Sequence, residues 1–157
     1  MKEKLFSIKD TKIYRRVKGE SGFTAQTRST AVQSSRLAAL AIVTDDEKGF
    51  IDEYIQLAVN ECATVIARYL SPCCINEEDD PDKPGYMIRH FTVSIPDNFP
   101  VESIGTLADT VTDFVCNRCL QQWYMLSKSD EAGIMVAKVQ SSMAQLRDLL
   151  TIRKKPH

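Results

Sequence analysis

Neither sign of charge dominates this chain: 20 Lys and Arg stand against 21 Asp and Glu, for a formal net charge of −1 over 157 residues. A protein that coats nucleic acid needs a surplus of cations against phosphate, so that class is excluded. Long hydrophobic runs are missing too. No segment holds the ~18 uncharged apolar residues needed to span a bilayer, and Met1 to Phe6 does not open a signal peptide. A soluble protein made in a cytoplasm is the expectation. The cysteines are five, an odd number, at Cys62, Cys73, Cys74, Cys116 and Cys119, too unevenly spread for a secreted disulfide framework, so reduced thiols are expected. Histidines number only two, His90 and His157, which leaves few ordinary general bases. No phosphate-binding or dinucleotide-binding glycine motif occurs, and no serine or cysteine sits in a nucleophile motif. With no nucleophile–base pair to name, the chain reads as non-enzymatic and without a cofactor.

What is present is enough for one domain. The chain is 43% hydrophobic with six glycines and six prolines, neither collagen-like nor disordered, and its length supports a buried core. Residues 1–20 are dense in charge and show no clean period, and the stretch to Ser35 is rich in Gly, Ser, Thr and Gln. That composition buries little apolar area, which predicts an extended arm over 1–43 that orders against a neighbour, with a short helix over 30–42. Thr44 and Glu47 have the spacing of a capping box, and Phe50, Ile51, Tyr54, Ile55, Ala58, Cys62, Val65, Ile66 and Tyr69 then recur at helical spacing up to Pro72. Residues 73–85, with Glu77, Glu78, Asp79, Asp80, Asp82 and two prolines, read as a solvated loop. Phe91, Val93 and Ile95 alternate with Thr92 and Ser94, a strand over 87–95 that needs a partner from the arm or from another subunit. A helix over 101–126 follows. After a break at Ser127 to Ser129, a last helix carries Ala132, Val136, Val139, Met143, Leu146 and Leu150 as a packing seam, antiparallel to the one before it. The fold class is mainly α: a bundle of three principal helices over 44–157 with a short strand or hairpin and an extended N-terminal arm.

Four of the cysteines, Cys73, Cys74, Cys116 and Cys119, match the number of thiolates in a tetrahedral zinc site. Cys116 and Cys119 fall in mid-helix, however, where small core side chains are the simpler explanation. The acidic run at 77–82 lacks the spacing of a calcium loop and reads as a solvated turn. His90 lies on the strand face opposite Phe91 and reads as structural. Trp123, Tyr124, Met135 and Met143 are core residues before they are a ligand pocket. The basic ends, Lys2 to Lys18 and Arg153 to Lys155, suit either solubility or contact with an acidic neighbour or a DNA backbone.

The run from Phe91 to Pro100 (FTVSIPDNFP), the helix end from Leu120 to Leu126 (LQQWYML), Ser129 to Ala132 (SDEA) and the ending from Leu146 to Pro156 (LRDLLTIRKKP) resemble small structural proteins of tailed bacteriophages and prophages, those of Bacteroides-type hosts in particular. The resemblance covers about residues 44–156. It implies a head-to-tail connector, a neck or adaptor subunit that forms a homo-oligomeric ring between portal and tail in the virion, near the channel DNA, assembled in the host cytoplasm and away from membranes. A tail-completion protein or a small cysteine-site metal-binding regulator are the alternatives. In the ring, Tyr14, Arg15, Arg16, Phe91, Val93, Ile95, Trp123 and Tyr124 are expected at interfaces, and Arg153, Lys154 and Lys155 are expected to reach the next ring. The long polar arm and the cysteines depart from the better-known connectors.

Overall fold

Period-two patterning puts Phe91, Val93 and Ile95 on one side of an extended chain, and β3 runs Met87–Ile95 with those three side chains buried. The computed structural model describes residues 2–29, 47–127 and 130–155. In it β3 is the centre of a three-stranded antiparallel sheet of order β1-β3-β2. β1 is Lys2–Lys9 and β2 is Cys73–Asp79. The register sets Phe6 and Ile75 on either side of Phe91, Ile8 and Glu77 on either side of Arg89, and Ser7 and Asn76 on either side of His90.

Two expectations are corrected here. Residues 2–29 are not an extended arm: after β1 the chain enters α1, Asp10–Ser29. Charged residues at Lys2, Glu3, Lys4 and Lys9 hide the alternation of Phe6 and Ile8, which face the core at 5% and 2% exposure. In α1 the buried positions Asp10, Ile13, Tyr14, Val17 and Ser21 recur at three and four residues. Two of these five are polar, so the stripe is faint in sequence. Packing against the central helix supplies what weak propensity does not. The acidic segment is likewise not all loop. Its first part is β2, and the turn to β3 closes with the Asp80 amide donating to the Tyr86 carbonyl at 2.8 Å and Gly85 in the left-handed region at φ +88°. The short helix expected over 30–42 lies outside the described residues, as does Thr44.

The helices read more faithfully. α2 is Lys48–Tyr69, α3 is Ser103–Leu126 and α4 is Glu131–Thr151. With α1 they make four helices among the described residues, one more than the three expected. Glu47 stands at the N-cap of α2 but makes no side-chain cap bond there. The apolar face of α2 is as expected at Ile51, Ile55, Ala58, Cys62, Val65 and Ile66, while Phe50 and Tyr69 at its ends are exposed, Tyr54 is half-buried and Val59 at mid-helix is buried in addition. α3 is central: it packs on α1, α2, α4 and β1, and Leu107, Val111, Phe114, Val115, Leu120 and Trp123 are all buried. On α4 the buried line is Met135, Val139, Ser142, Leu146 and Leu150. Val136, expected in that seam, is 39% exposed. The shift admits one polar bridge, with Asn117 Nδ2 donating to Ser142 Oγ at 2.8 Å across the hairpin. One face of the sheet and the inner faces of the helices enclose a single core; the other sheet face carries Leu5, Ser7, Cys74, Asn76 and His90.

Candidate functional site

Arg89 is the one cation buried among the described residues, and it points into the core from β3 at 3% exposure. Burying a guanidinium is costly unless every strong donor finds an acceptor. Here Nε and Nη2 grip both oxygens of Asp10 at 2.9 and 3.1 Å, and Nη1 donates to Glu77 at 2.7 Å and to Gln56 at 2.8 Å. Burial opposes the charge on Arg89, but the Asp10 hydrogen bond and the charges of Asp10 and Glu77 outweigh it and hold the group protonated. Burial pushes the Asp10 carboxyl up, with Arg89 pulling it back. The cluster ties together the start of α1, β2, β3 and α2, a brace made of residues far apart in sequence. No buried side-chain nitrogen or oxygen among the described residues lacks a hydrogen-bond partner. The polar interior is thus closed on itself.

A second cluster lies at the end of the sheet where β2 turns to β3. The Tyr14 hydroxyl donates to Asp52 and lies 2.8 Å from the Lys48 carbonyl. Burial, with the Asp52 carboxylate beside it, pushes the phenol well above its ordinary range. The Tyr14 ring meets Tyr86 edge-on at 5.0 Å, and Lys48 and Lys83 sit 4.8 and 4.6 Å from the Tyr86 centroid. Beside it an open groove of about 670 Å³ is lined by Lys9, Lys12, Arg15, Lys18 and Lys83 together with Asp80 and Asp82. Five cations against two carboxylates make this groove basic.

On the outer face of the sheet, Ser7 Oγ lies 2.6 Å from His90 Nδ1, and His90 Nε2 lies 2.8 Å from Glu78 Oε1. Hydroxyl, imidazole and carboxylate in line are the parts of an activated nucleophile. Catalysis also needs donors aimed at a developing oxyanion and a place for substrate. Ser7 and Glu78 are exposed on edge strands, and neither the basic groove nor a smaller one between α2 and α3, lined by Tyr54, Leu57, Glu61 and Arg118, includes any of the three. The arrangement is a polar ladder across three strands.

The zinc candidates do not converge. Cys73 and Cys74 are consecutive in a strand, so their thiols face opposite sides of the sheet, while Cys116 and Cys119 are buried on α3. Burial pushes Cys116 up to about 12 and Cys73 up to about 11, and raises Cys62 and Cys119 further, because the thiolate loses its hydration there. Among the described residues no group of three or more His, Cys, Asp or Glu is placed to hold a metal ion. In the acidic run, Asp80 is buried and accepts the Asp82 amide at 2.9 Å, a turn-forming contact.

Most of the expected interface residues are also relocated. Tyr14, Phe91, Val93, Ile95, Trp123 and Tyr124 are buried within the chain, because aromatic and β-branched residues on amphipathic elements find their own core first. Arg16 is tied to Glu20 at 3.0 Å and to Asp113. Arg15 is exposed in the basic groove. At the C-terminus the Lys154 amide donates to the Asn98 carbonyl at 2.6 Å, and Arg153 lies over Phe99 at 5.4 Å with its guanidinium on the Leu150 and Ile152 carbonyls. The basic end is therefore strapped to the β3–α3 turn up to Lys154, and Lys155 is exposed beyond it. What the sequence did not flag is an apolar patch at the α3–α4 turn, where Met125, Leu126 and Ile134 are 57%, 52% and 54% exposed. Ile134 falls off the helical stripe of its own helix, the one signal that marks it.

These features describe a mainly helical domain with a small antiparallel sheet, its buried polar groups braced internally and large apolar side chains exposed on β1, on α2 and at the α3–α4 turn. Comparison with family models, curated proteins and solved structures finds no match to this chain.

Proposed function

We propose that the chain is a non-enzymatic virion structural protein, a subunit of a head-to-tail connector ring that joins portal and tail in a tailed phage. The observation that carries the proposal is the patch of Met125, Leu126 and Ile134, three large apolar side chains each more than half exposed at one end of a helical hairpin. Apolar surface grouped this way is the mark of a packing surface for another protein. Two further features support it. The polar clusters are committed to bracing the fold, and the resemblance over about 44–156 is to phage structural proteins. In this assembly the α3–α4 turn packs on a neighbouring subunit or on the adjoining ring, and the basic groove meets an acidic surface or lies toward the channel DNA.

Light scattering of the full chain across a concentration series tests this. The expected result is a mass that rises from 17.7 kDa to a plateau at a closed multimer, and that falls when Met125 and Ile134 are both changed to Asp. A mass fixed at that of one chain over the whole series sets the ring aside.

A further inference from the structure

The sheet has two edges of opposite charge. β1 and β2 each pair with β3 on one side only among the described residues, and an edge strand carries a row of amides and carbonyls ready to pair. β1 carries Lys2, Lys4 and Lys9 against a single Glu3, and the chain continues into Lys12 and Arg15; β2 ends in Glu77, Glu78 and Asp79 with no cation. A level antiparallel β1–β1 contact sets Lys2 against Lys9, and a parallel β2–β2 contact sets Glu77, Glu78 and Asp79 each beside its own copy, both destabilising, whereas a level antiparallel β2–β2 contact sets the three carboxylates opposite Ile75, Cys74 and Cys73. Pairing β1 with β2 sets opposite charges together, so among the ways in which edges of two copies can meet it is the one that gains charge attraction.

The register adds a second, independent argument. Both strands are antiparallel to β3, so they run parallel to one another. Lys9 and Glu78 both stand opposite Ile88, Phe6 and Ile75 both opposite Phe91, and Leu5 and Cys74 both opposite Thr92. When β1 of one copy lies level with β2 of another, core-facing residues meet core-facing residues, Lys9 meets Glu78, and the exposed Leu5, at 58%, meets the exposed Cys74. We infer that β1 of one copy pairs in parallel with β2 of the next, joining the sheets head to tail. Such a contact is heterologous and closes into a ring when the rotation between copies allows. The inference deepens the connector proposal and rests on it.

A cysteine at Leu5 reads the contact directly. Within one chain Leu5 and Cys74 are separated by β3, two strand spacings or about 9.6 Å, beyond the ~7 Å that a disulfide bridges. An L5C–Cys74 bond therefore joins two chains. Under mild oxidation, full-length L5C is expected to give a ladder of dimer, trimer and higher species on a non-reducing gel, and Cys74→Ser is expected to abolish it. In parallel, Lys9→Glu alone and Glu78→Lys alone are each expected to weaken self-association about tenfold or more, while an equimolar mixture of the two restores it in alternation. Asp79→Lys serves in place of Glu78→Lys if loss of the His90 contact disturbs folding, as seen by circular dichroism. A dimer that survives Cys74→Ser overturns the inference in favour of a β1–β1 contact. A wild-type multimer with no ladder and no response to the charge changes overturns the inference and leaves the connector proposal standing. A wild-type chain that stays monomeric overturns both.

Discussion

Arg89 and His90 are adjacent on β3 and each is flanked by β1 and β2, yet the two faces of the sheet turn the same cross-strand design into different things. On the inner face Arg89, 4% exposed at its side chain, meets Asp10 at 2% and draws in Glu77 and Gln56. On the outer face His90, 25% exposed at its side chain, meets Glu78 at 59%. The bonds have similar lengths. Their consequences differ because water competes for the outer pair and screens it, whereas loss of Arg89 leaves the buried Asp10 carboxyl without the guanidinium that offsets its burial. A strand of period two thus places a structural brace and a surface ladder side by side.

The largest effect is expected from breaking the inner cluster. Arg89→Ala leaves the Asp10 carboxyl buried without its guanidinium and should cost about 3–5 kcal/mol in urea unfolding. Replacing both members by apolar residues of similar size, Asp10→Leu with Arg89→Met, should recover most of that loss. A single-variant cost below about 1 kcal/mol shows that the brace is not what holds the α1 start to the sheet.

The next effect sharpens the contrast through pH. Cys62, Cys116 and Cys119 are buried and their folded pKa values lie above the ordinary 9.0. The folded chain keeps protons that the unfolded chain releases. Stability from this source is therefore complete below pH 9 and is lost as pH rises toward the folded values, by about 1.4 kcal/mol per pH unit for each thiol. Unfolding titrations at pH 8, 9 and 10 check the sign, and Cys62→Ala should reduce the slope by one proton. Thiol reagents give the complement: the exposed Cys74 should react in the folded chain, with all five reacting after unfolding.

Asn117→Ala, at the bridge between α3 and α4, should cost about 1–2 kcal/mol, less than Arg89→Ala because Ser142 keeps its bond to the Lys138 carbonyl at 3.0 Å. The smallest effect is expected at His90→Ala, under about 1 kcal/mol. A cost there equal to that of Arg89→Ala would erase the distinction between the two faces.

Elements carried by strong periodicity were legible before the fold was seen. β3 was expected over 87–95 and occupies Met87–Ile95, and the three later helices fall within a few residues of their expected bounds. α1 was not legible, because Gly19, Gly22 and a run of Ser, Thr and Gln weaken its propensity and because Asp10 and Ser21 occupy core-facing positions. β2 was hidden by its carboxylates, since a strand so acidic is stable only when paired with a central strand offering Arg89 and His90. Six of the expected interface residues, Tyr14, Phe91, Val93, Ile95, Trp123 and Tyr124, are buried within the chain for one reason. Large apolar side chains at Phe91, Trp123 and Tyr124 mark burial, and sequence does not say whether the surface that buries them belongs to the same chain.

Periodicity and composition are local properties, and they were enough for a mainly helical domain, for the place of one strand, for the bounds of α2, α3 and α4 to within a few residues, and for free thiols rather than disulfides. Tertiary contacts were needed to bring Phe6, Ile8, Ile13, Tyr14 and Val17 into the core, to bury Arg89 on Asp10, to place Cys73 and Cys74 on a strand and Cys116 and Cys119 on a helix, and to give the sheet's two edges opposite charge. Those facts depend on which strands pair and in what register, and pairing is set by burial summed over residues distant in the chain, a quantity no local pattern contains.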